Sequence, residues 1–205
     1  MRIPTTATGQ VDEFIFLGND LALDFVNTRP LVGSDQVELL TDFAALLRWF
    51  KAAELLTARE VKELDSNWAA SARARHTVHG MRELREKLRG QLLAWEDSWS
   101  ISSAFMAELN TLLRRHPMLS RIKTVQNLPA VELWFEKNGP EQLLAPIAHH
   151  AAVIFAHGDR TRVRKCDNCV LHFLDTSKKG TRRWCSMQLC GNRFKVAAYA
   201  TRHHR

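Results

Sequence analysis

The sequence predicts an α+β fold, in which a helix-rich N-terminal domain with a small antiparallel sheet precedes a small C-terminal module. Apolar residues recur at helical spacing in several segments before residue 158, and the alternation in AVELWFE (residues 130–136) is typical of a strand. All four cysteines lie between Cys166 and Cys190. We therefore divide the chain into residues 1–158 and 159–205.

Charge is distributed unevenly and supports the same division. The 205-residue chain has a formal net charge of +7. Residues 1–160 contain 18 Lys and Arg against 20 Asp and Glu, whereas residues 161–205 contain 11 against 2. The basic excess therefore lies with the cysteines, where it indicates an acidic partner such as nucleic acid.

Capping residues and apolar periodicity predict the helices. NDLALDFVNT is compatible with a strand or a short helix, and we favour the helix. A long amphipathic helix is expected from Met81 to Trp99, and Gly139-Pro140 is expected to open a last helix that stops at Gly158. The expected N-caps, in chain order, are Asn19 or Asp20, Thr41 or Asp42, Thr57 in a capping box with Glu60, and Ser102.

Three segments have strand patterns. FIFL (residues 14–17) is apolar and short, which favours a strand. SRIKTV (residues 120–125) precedes AVELWFE across the turn sequence QNLP, and the two segments are expected to form a hairpin.

Composition bounds the class of protein. Hydrophobic residues make up 45% and charged residues 25%, as in ordinary globular proteins. We see neither a signal-peptide pattern nor an apolar run of about 18 residues, so a cytoplasmic protein without membrane contact is expected. In a reducing compartment, clustered cysteines are more often metal ligands than disulfides, although an exported disulfide module stays open.

The cysteine spacing predicts one structural Zn²⁺ ion. Cys166 and Cys169 form a C-x2-C pair, and Cys185 and Cys190 follow after fifteen residues as a C-x4-C pair. Four thiolates complete a tetrahedral site and leave no position open for catalysis. A redox C-x2-C pair is the alternative, but it leaves Cys185 and Cys190 without a role.

The segments around the cysteines predict a knuckle, a hairpin and a helix, which is the order of a treble-clef zinc finger. VLHFLD is expected to pair with TRRWC across a turn at residues 177–180, and Ser186 is expected to cap a helix that carries Cys190.

Two sets of motifs resemble known families. WCSMQLCGNR, preceded by FLDTSKKGTRR, closely resembles the CGNR zinc-finger family of bacterial proteins, named for the tetrapeptide at residues 190–193. LALDFVNT, LPAVELWFE and LLAPIAHHAA resemble the ABATE domain that precedes this finger. The resemblance implies a stress-responsive transcription regulator, with an N-terminal domain that senses a ligand and a finger that binds double-stranded DNA.

Basic residues on the module are candidates for DNA contact. Arg193 is a candidate for guanine readout, while Asn192 is expected to support the zinc ligands rather than to contact adenine. RNA or an acidic protein is the alternative partner, which would make the chain a zinc-dependent adaptor with a structural, dimerising N-terminal domain. The full set of candidates for DNA contact is Lys178, Lys179, Arg182, Arg183, Arg193, Lys195 and Arg202.

Candidates for ligand binding in the N-terminal domain are Asp24, Asn27, Thr28 and Arg82. The first three follow an apolar stretch and are equally compatible with capping and turn roles. Arg82 and Arg85 lie one turn apart on the long helix and could meet an anionic ligand, but we favour a solvated charged face for them. We find no phosphate-binding loop, nucleophile elbow or paired-carboxylate motif, so we expect no enzyme activity. A homodimer is possible, because Trp and Leu are abundant in this domain.

Overall fold

The computed structural model describes residues 14–32, 34–98, 100–192 and 194–196. The helices among them are α1 (Leu21–Val26), α2 (Phe43–Ala52), α3 (Ala58–Trp68), α4 (Ala72–Ser98), α5 (Ser103–Arg115) and α6 (Leu144–His157). The strands form three antiparallel pairs: β1 (Leu31–Val32) with β2 (Asp35–Gln36), β3 (Leu119–Val125) with β4 (Leu128–Trp134), and β5 (Val163–Lys165) with β6 (His172–Leu174). Short 3₁₀ turns span Pro140–Leu143 and Arg160–Arg162, and a π-helical turn spans Met187–Gly191. The predicted α+β class is confirmed.

The helices begin where capping chemistry indicates. Asp20 and Asp42 are the N-caps of α1 and α2, and each side chain accepts a hydrogen bond from a first-turn backbone N–H. Thr57 and Glu60 form the expected capping box in both directions at the start of α3. Ser102 caps α5. The expected helix over LALDFV is confirmed.

The core of the N-terminal region (residues 14–158) surrounds the 27-residue helix α4. Helix α4 begins at Ala72, earlier than the expected pattern from Met81, because Ala74 and Val78 are buried as well. Trp99 lies outside the described residues. Trp49 of α2 is fully buried against aromatic side chains on both sides, with Phe25 at 5.6 Å between ring centroids.

Strands β3 and β4 form the expected hairpin, with Ile122 opposite Val131. Gln126 and Asn127 both have positive φ values, which the tight two-residue connection between the strands requires. Phe135, just beyond β4, is buried in the core, whereas Ile122 and Val131 are exposed. The hairpin therefore extends away from the core.

The segment FIFL is not part of a strand, but its successive side chains still pack on opposite sides. Phe14 and Phe16 pack against the core of the N-terminal region. Ile15 and Leu17 pack against the separate small core around the cysteines. Successive side chains of an extended chain point in opposite directions, so one short segment contributes to both cores.

The expected pairing of VLHFLD with TRRWC is wrong. Strand β6 pairs instead with β5, and Phe173 lies opposite Arg164. On the other side of β6, the backbone N–H of Leu174 donates to the carbonyl of Gly18 at 2.7 Å. Both edges of β6 are therefore occupied, and no edge is left for TRRWC. The turn at residues 177–180 is present, and Gly180 has a φ of +61° that favours glycine.

Candidate metal centre and its junction with the N-terminal region

The four cysteine sulfurs lie together at one end of the cysteine module (residues 159–196). All four Sγ atoms lie within 4.8 Å of one another. The Sγ of Cys185 is 3.8 Å from that of Cys169 and 3.7 Å from that of Cys190. Zinc–sulfur bonds of about 2.3 Å in a tetrahedron place the sulfurs about 3.8 Å apart. The donor set therefore fits a four-thiolate zinc ion.

Electrostatics of the cluster also fit a divalent cation. Hydrogen bonds from the thiols of Cys169 and Cys185 lower the pKa of Cys166, and the backbone N–H groups of Cys185 and Asn168 lower it further. Burial, followed by the charge of Cys166, raises the pKa of Cys190. Four clustered thiols, of which those of Cys166, Cys185 and Cys190 are buried, therefore resist ionising together without a cation, whereas thiolates are the form that binds zinc.

Local structure presents the second cysteine pair. The side chain of Ser186 accepts hydrogen bonds from the backbone N–H groups of Gln188 and Leu189, which starts the predicted helix with a π-helical turn. Cys190 lies in this turn, and its backbone N–H donates to the Ser186 carbonyl at 3.0 Å. The N-cap predicted at Ser186 is confirmed.

Asp175 organises the turn between the two cysteine pairs, and our sequence analysis missed it. Its carboxylate accepts hydrogen bonds from the backbone N–H groups of Ser177 at 2.9 Å and Arg182 at 2.8 Å. Burial acts to raise the pKa of Asp175, but these hydrogen bonds outweigh it and lower the pKa to about 2. An Asp two residues before a Ser in a turn is a known signal for such a bond.

Asn27 joins the two regions. Its side-chain Nδ2 donates to the carbonyl of His172, and its Oδ1 accepts from the backbone N–H of His172, both at 2.8 Å. Asn19 donates to the carbonyl of Leu174 at 2.9 Å. The end of α1 thus completes the hydrogen bonding of β6, and the motif LALDFVNT forms the junction with the cysteine module.

Comparison with known families identifies both regions. Residues 162–203 match the CGNR zinc finger. Residues 19–158 match ABATE, described as a putative stress-induced transcription regulator. The chain belongs to the ABATE family. Its ABATE domain is followed by a CGNR zinc finger, as the sequence motifs indicated. No curated protein matches the chain.

Asp24 of the ABATE domain is buried and directed at the junction. Its Oδ1 accepts a hydrogen bond from the backbone N–H of Gly18 at 2.7 Å. Burial raises the pKa of Asp24 to about 7. A Cβ on Gly18 would lie 2.7 Å from that of Leu23, so only glycine allows this close approach.

Thr28 and Arg82 also have partners within the ABATE domain. The Thr28 hydroxyl donates to the carbonyl of Phe25 and accepts from the buried guanidinium of Arg85 at 3.1 Å. Arg82 donates to the carbonyl of Leu40 at 2.8 Å. The polar groups of these residues and of Asn27 therefore have hydrogen-bond partners within the protein. A small-ligand site at Asp24, Asn27, Thr28 and Arg82 stays a prediction.

A cavity of about 360 Å³ lies where α6 of the ABATE domain meets the finger. Val153 and Ile154 line it from α6, and Leu174 lines it from β6. Acidic side chains, among them Asp20 and Asp175, also line it. The cavity therefore touches both regions of the chain beside the β6 junction.

The predicted DNA-contact residues differ in their exposure and in whether they have hydrogen-bond partners within the protein. Lys178 and Lys179 are exposed in the turn after β6. Arg182 is half-buried, donates to the carbonyls of Trp184 and Cys185, and lies over the ring of Phe173. Arg182 is thus placed to support the finger itself.

Of the remaining candidates, Arg183, Lys195 and Asn192 are among the described residues. Arg183 donates to Asp167 at 2.7 Å, although 59% of its side chain is exposed. Lys195 is exposed. Asn192 is also exposed, and its backbone caps the π-helical turn. Arg193 and Arg202 lie outside the described residues.

A helix that crosses a bilayer needs both a length of about 20 residues and a predominantly apolar composition. Among the described residues no helix meets both requirements.

Proposed function

We propose that this chain is a DNA-binding transcription regulator whose finger holds one structural Zn²⁺ ion through Cys166, Cys169, Cys185 and Cys190. The observation that carries the proposal is that the sulfur cluster and the basic excess occupy the same small module. The family description of the ABATE domain supports a regulatory role. The proposal includes no catalytic step.

Zinc would contribute to folding rather than to chemistry at the finger. When bound, the ion supplies the positive charge that lets the four thiols ionise together. The cysteines would then fix the knuckle at Cys166 relative to the π-helical turn at Cys190. The lysine-bearing turn between them is held by Asp175.

Lys178, Lys179 and Lys195 are the cations we assign to phosphate contact, because they are exposed. Arg183 joins them if DNA competes for its partner Asp167. Phosphate contacts position a protein on DNA without reading its sequence. Base readout is assigned to Arg193, because a guanidinium can make a bidentate contact to guanine.

Small-ligand sensing is assigned to the cavity between α6 and β6. A ligand there would contact Val153 of the ABATE domain and Leu174 of the finger together. Such a ligand can change the free energy of the junction, which is the coupling that a sensor needs. Thermal stabilisation by a ligand, lost in Val153→Trp because the new ring fills the cavity, would support this assignment.

An exposed apolar surface on the finger favours a second candidate function, a zinc-dependent adaptor for proteins. Met187, Phe194 and Val196 are exposed to 45%, 44% and 68% on or beside the last turn. Apolar side chains that remain exposed at one place are typical of protein contact. RNA is the other acidic partner that the basic module could bind.

Selection from random DNA duplexes with the zinc-loaded full-length protein tests the proposal. We expect an enriched sequence whose binding is lost in Cys185→Ser and after zinc chelation. A single-stranded RNA pool under the same conditions separates the RNA alternative. Failure of the zinc-loaded protein to retain any duplex at low salt would overturn the DNA proposal and leave the adaptor function.

A further inference from the structure

The β3–β4 hairpin presents an apolar face to solvent. Ile122 is 78% exposed, Val131 opposite it is 73% exposed, and Leu133 is 51% exposed. The register places these three side chains on one face of the hairpin. Monomeric proteins seldom leave such a contiguous apolar face uncovered.

The same face is continuous with the core. Val131, Leu133 and Phe135 are spaced two residues apart along an extended segment, so their side chains point to the same side. Phe135 is only 3% exposed, because it reaches the ABATE core. The row of apolar side chains that includes buried Phe135 thus continues onto the hairpin, where the described residues of the chain do not cover it.

Charged side chains on the opposite face of the hairpin pair with one another. Arg121 and Lys123 on β3 both pair with Glu132 on β4, with Arg121 at 2.8 Å. The guanidinium of Arg121 also lies over the ring of Trp134. The charged groups therefore lie on one face, and the apolar face contains no charge that would attract nucleic acid or an acidic protein.

Strands β3 and β4 form a sheet of two strands, so each has one edge without a β-partner in the described chain. A two-stranded hairpin by itself is only marginally stable in water. A symmetric contact brings the same patch of two copies together, and a free edge and an uncharged apolar face on one element can meet their own copies without bringing like charges together.

We propose that this face of the hairpin joins two copies of the chain into a homodimer. The face consists of Ser120, Ile122, Thr124, Pro129, Val131 and Leu133. It offers on the order of 500 Å² per copy, somewhat less than the about 600–1,000 Å² per partner in standard specific complexes. An area this small makes the dimer dependent on concentration.

The test measures the mass of the zinc-loaded full-length protein by sedimentation over a wide range of concentrations. Wild type should shift from monomer to dimer as the concentration rises. The double variant Ile122→Thr/Val131→Thr keeps β-branched residues on the hairpin but removes apolar surface, and it should remain monomeric. Ile122→Lys should do the same, because it brings two like charges together at a symmetric contact.

Met106→Thr is the matched control, because Met106 is an exposed apolar residue on α5. This variant should dimerise like wild type. Melting curves recorded at a concentration where wild type is monomeric should coincide for all variants, which separates loss of association from unfolding. In wild type, amide exchange in residues 119–134 should slow as the dimer forms.

Two outcomes would overturn the proposal. Wild type that stays monomeric at every concentration removes the second copy as the occupant of this face. A dimer that persists in Ile122→Thr/Val131→Thr places the contact elsewhere. The measurement uses no DNA, so either result leaves the proposed DNA binding untouched.

Discussion

Asn27 of the ABATE domain and His172 of the finger share two hydrogen bonds, each 2.8 Å long, between one side-chain amide and one backbone unit. Both residues are buried. A side chain thus takes the place of a neighbouring strand at the edge of β6. The finger and the ABATE domain are therefore structurally coupled at the first residue after α1.

Replacing Asn27 with Ala should destabilise the protein strongly. The change leaves the backbone N–H and carbonyl of His172 buried without these partners, which costs about 2–3 kcal/mol in free energy of unfolding. Urea denaturation of the zinc-loaded protein measures it. Asn19→Gly is the control, because Asn19 is exposed, makes one bond to β6 and has a φ of +57° that glycine also adopts, so the loss of its side chain should cost under about 1 kcal/mol. Equal effects in the two variants would contradict the role of Asn27.

Purified protein should contain one zinc ion per chain, measured by elemental analysis. Cys190→Ser should lower zinc affinity by more than about tenfold, because an alcohol replaces one of four thiolate donors. Met187→Ser, which removes an exposed sulfur beside the cluster, should keep the full zinc content. Substitution with cobalt should give the absorption of thiolate ligands. A Cys190→Ser variant that binds zinc as tightly as wild type would exclude the four-cysteine site.

Lys178→Ala/Lys179→Ala should weaken binding to all DNA sequences alike. The slope of log affinity against log salt should become shallower by about 1.8, because each phosphate contact releases close to one counterion. Lys62→Ala on α3 serves as the control, since Lys62 is exposed but distant in sequence from the finger. An unchanged slope in the double variant would show that these lysines do not contact phosphate.

Arg182→Ala should act differently from the lysine variants. Arg182 donates to carbonyls of the finger backbone and lies over Phe173 at 4.4 Å. We expect a lower melting temperature of the finger and faster loss of zinc to a chelator. A variant that keeps wild-type stability but binds DNA less tightly would instead place Arg182 at the DNA surface.

Protonation of His172 should destabilise the protein in acid. Burial, followed by the charges of Arg89 and Lys165, lowers the pKa of His172 from 6.5 to about 4. Between these values the unfolded state binds more protons than the folded state, so the free energy of unfolding falls as pH drops from about 6.5 to 4. The difference in free energy of unfolding between His172→Phe and wild type should therefore shift in favour of the variant by on the order of 1–2 kcal/mol between pH 7.5 and pH 5. An equal difference at both pH values would contradict the lowered pKa.

Asp24 should contribute with the opposite sign. Burial raises its pKa from 3.8 to about 7, so the folded state keeps its proton where the unfolded state has lost it. This contribution to the free energy of unfolding is present below about pH 3.8 and is lost as pH rises toward 7. Titration of the Asp24 carboxyl carbon by NMR measures the pKa directly. A midpoint near 4 would show that the carboxyl is not desolvated as the structure indicates.

Local interactions that can be recognised in the sequence were sufficient to predict much of the structure of this protein. The capping box at Thr57 and the N-cap at Ser186 appear where they were expected, because each satisfies backbone N–H groups within a few residues. The spacing of the cysteines and the charge of the last 45 residues likewise depend only on residue order. The family motifs led to the ABATE and CGNR assignments for the same reason.

Tertiary structure decided the contacts between residues far apart in the chain. The role of Asn27 depends on a strand 145 residues away, and the pairing of β6 with β5 rather than with TRRWC depends on which segments the rest of the fold places beside the edges of β6. Periodicity indicates which side of a segment is apolar but not what covers it. FIFL therefore serves two cores, whereas the same kind of alternation leaves Val131 in solvent, because burial is set by the position of the whole fold around a segment.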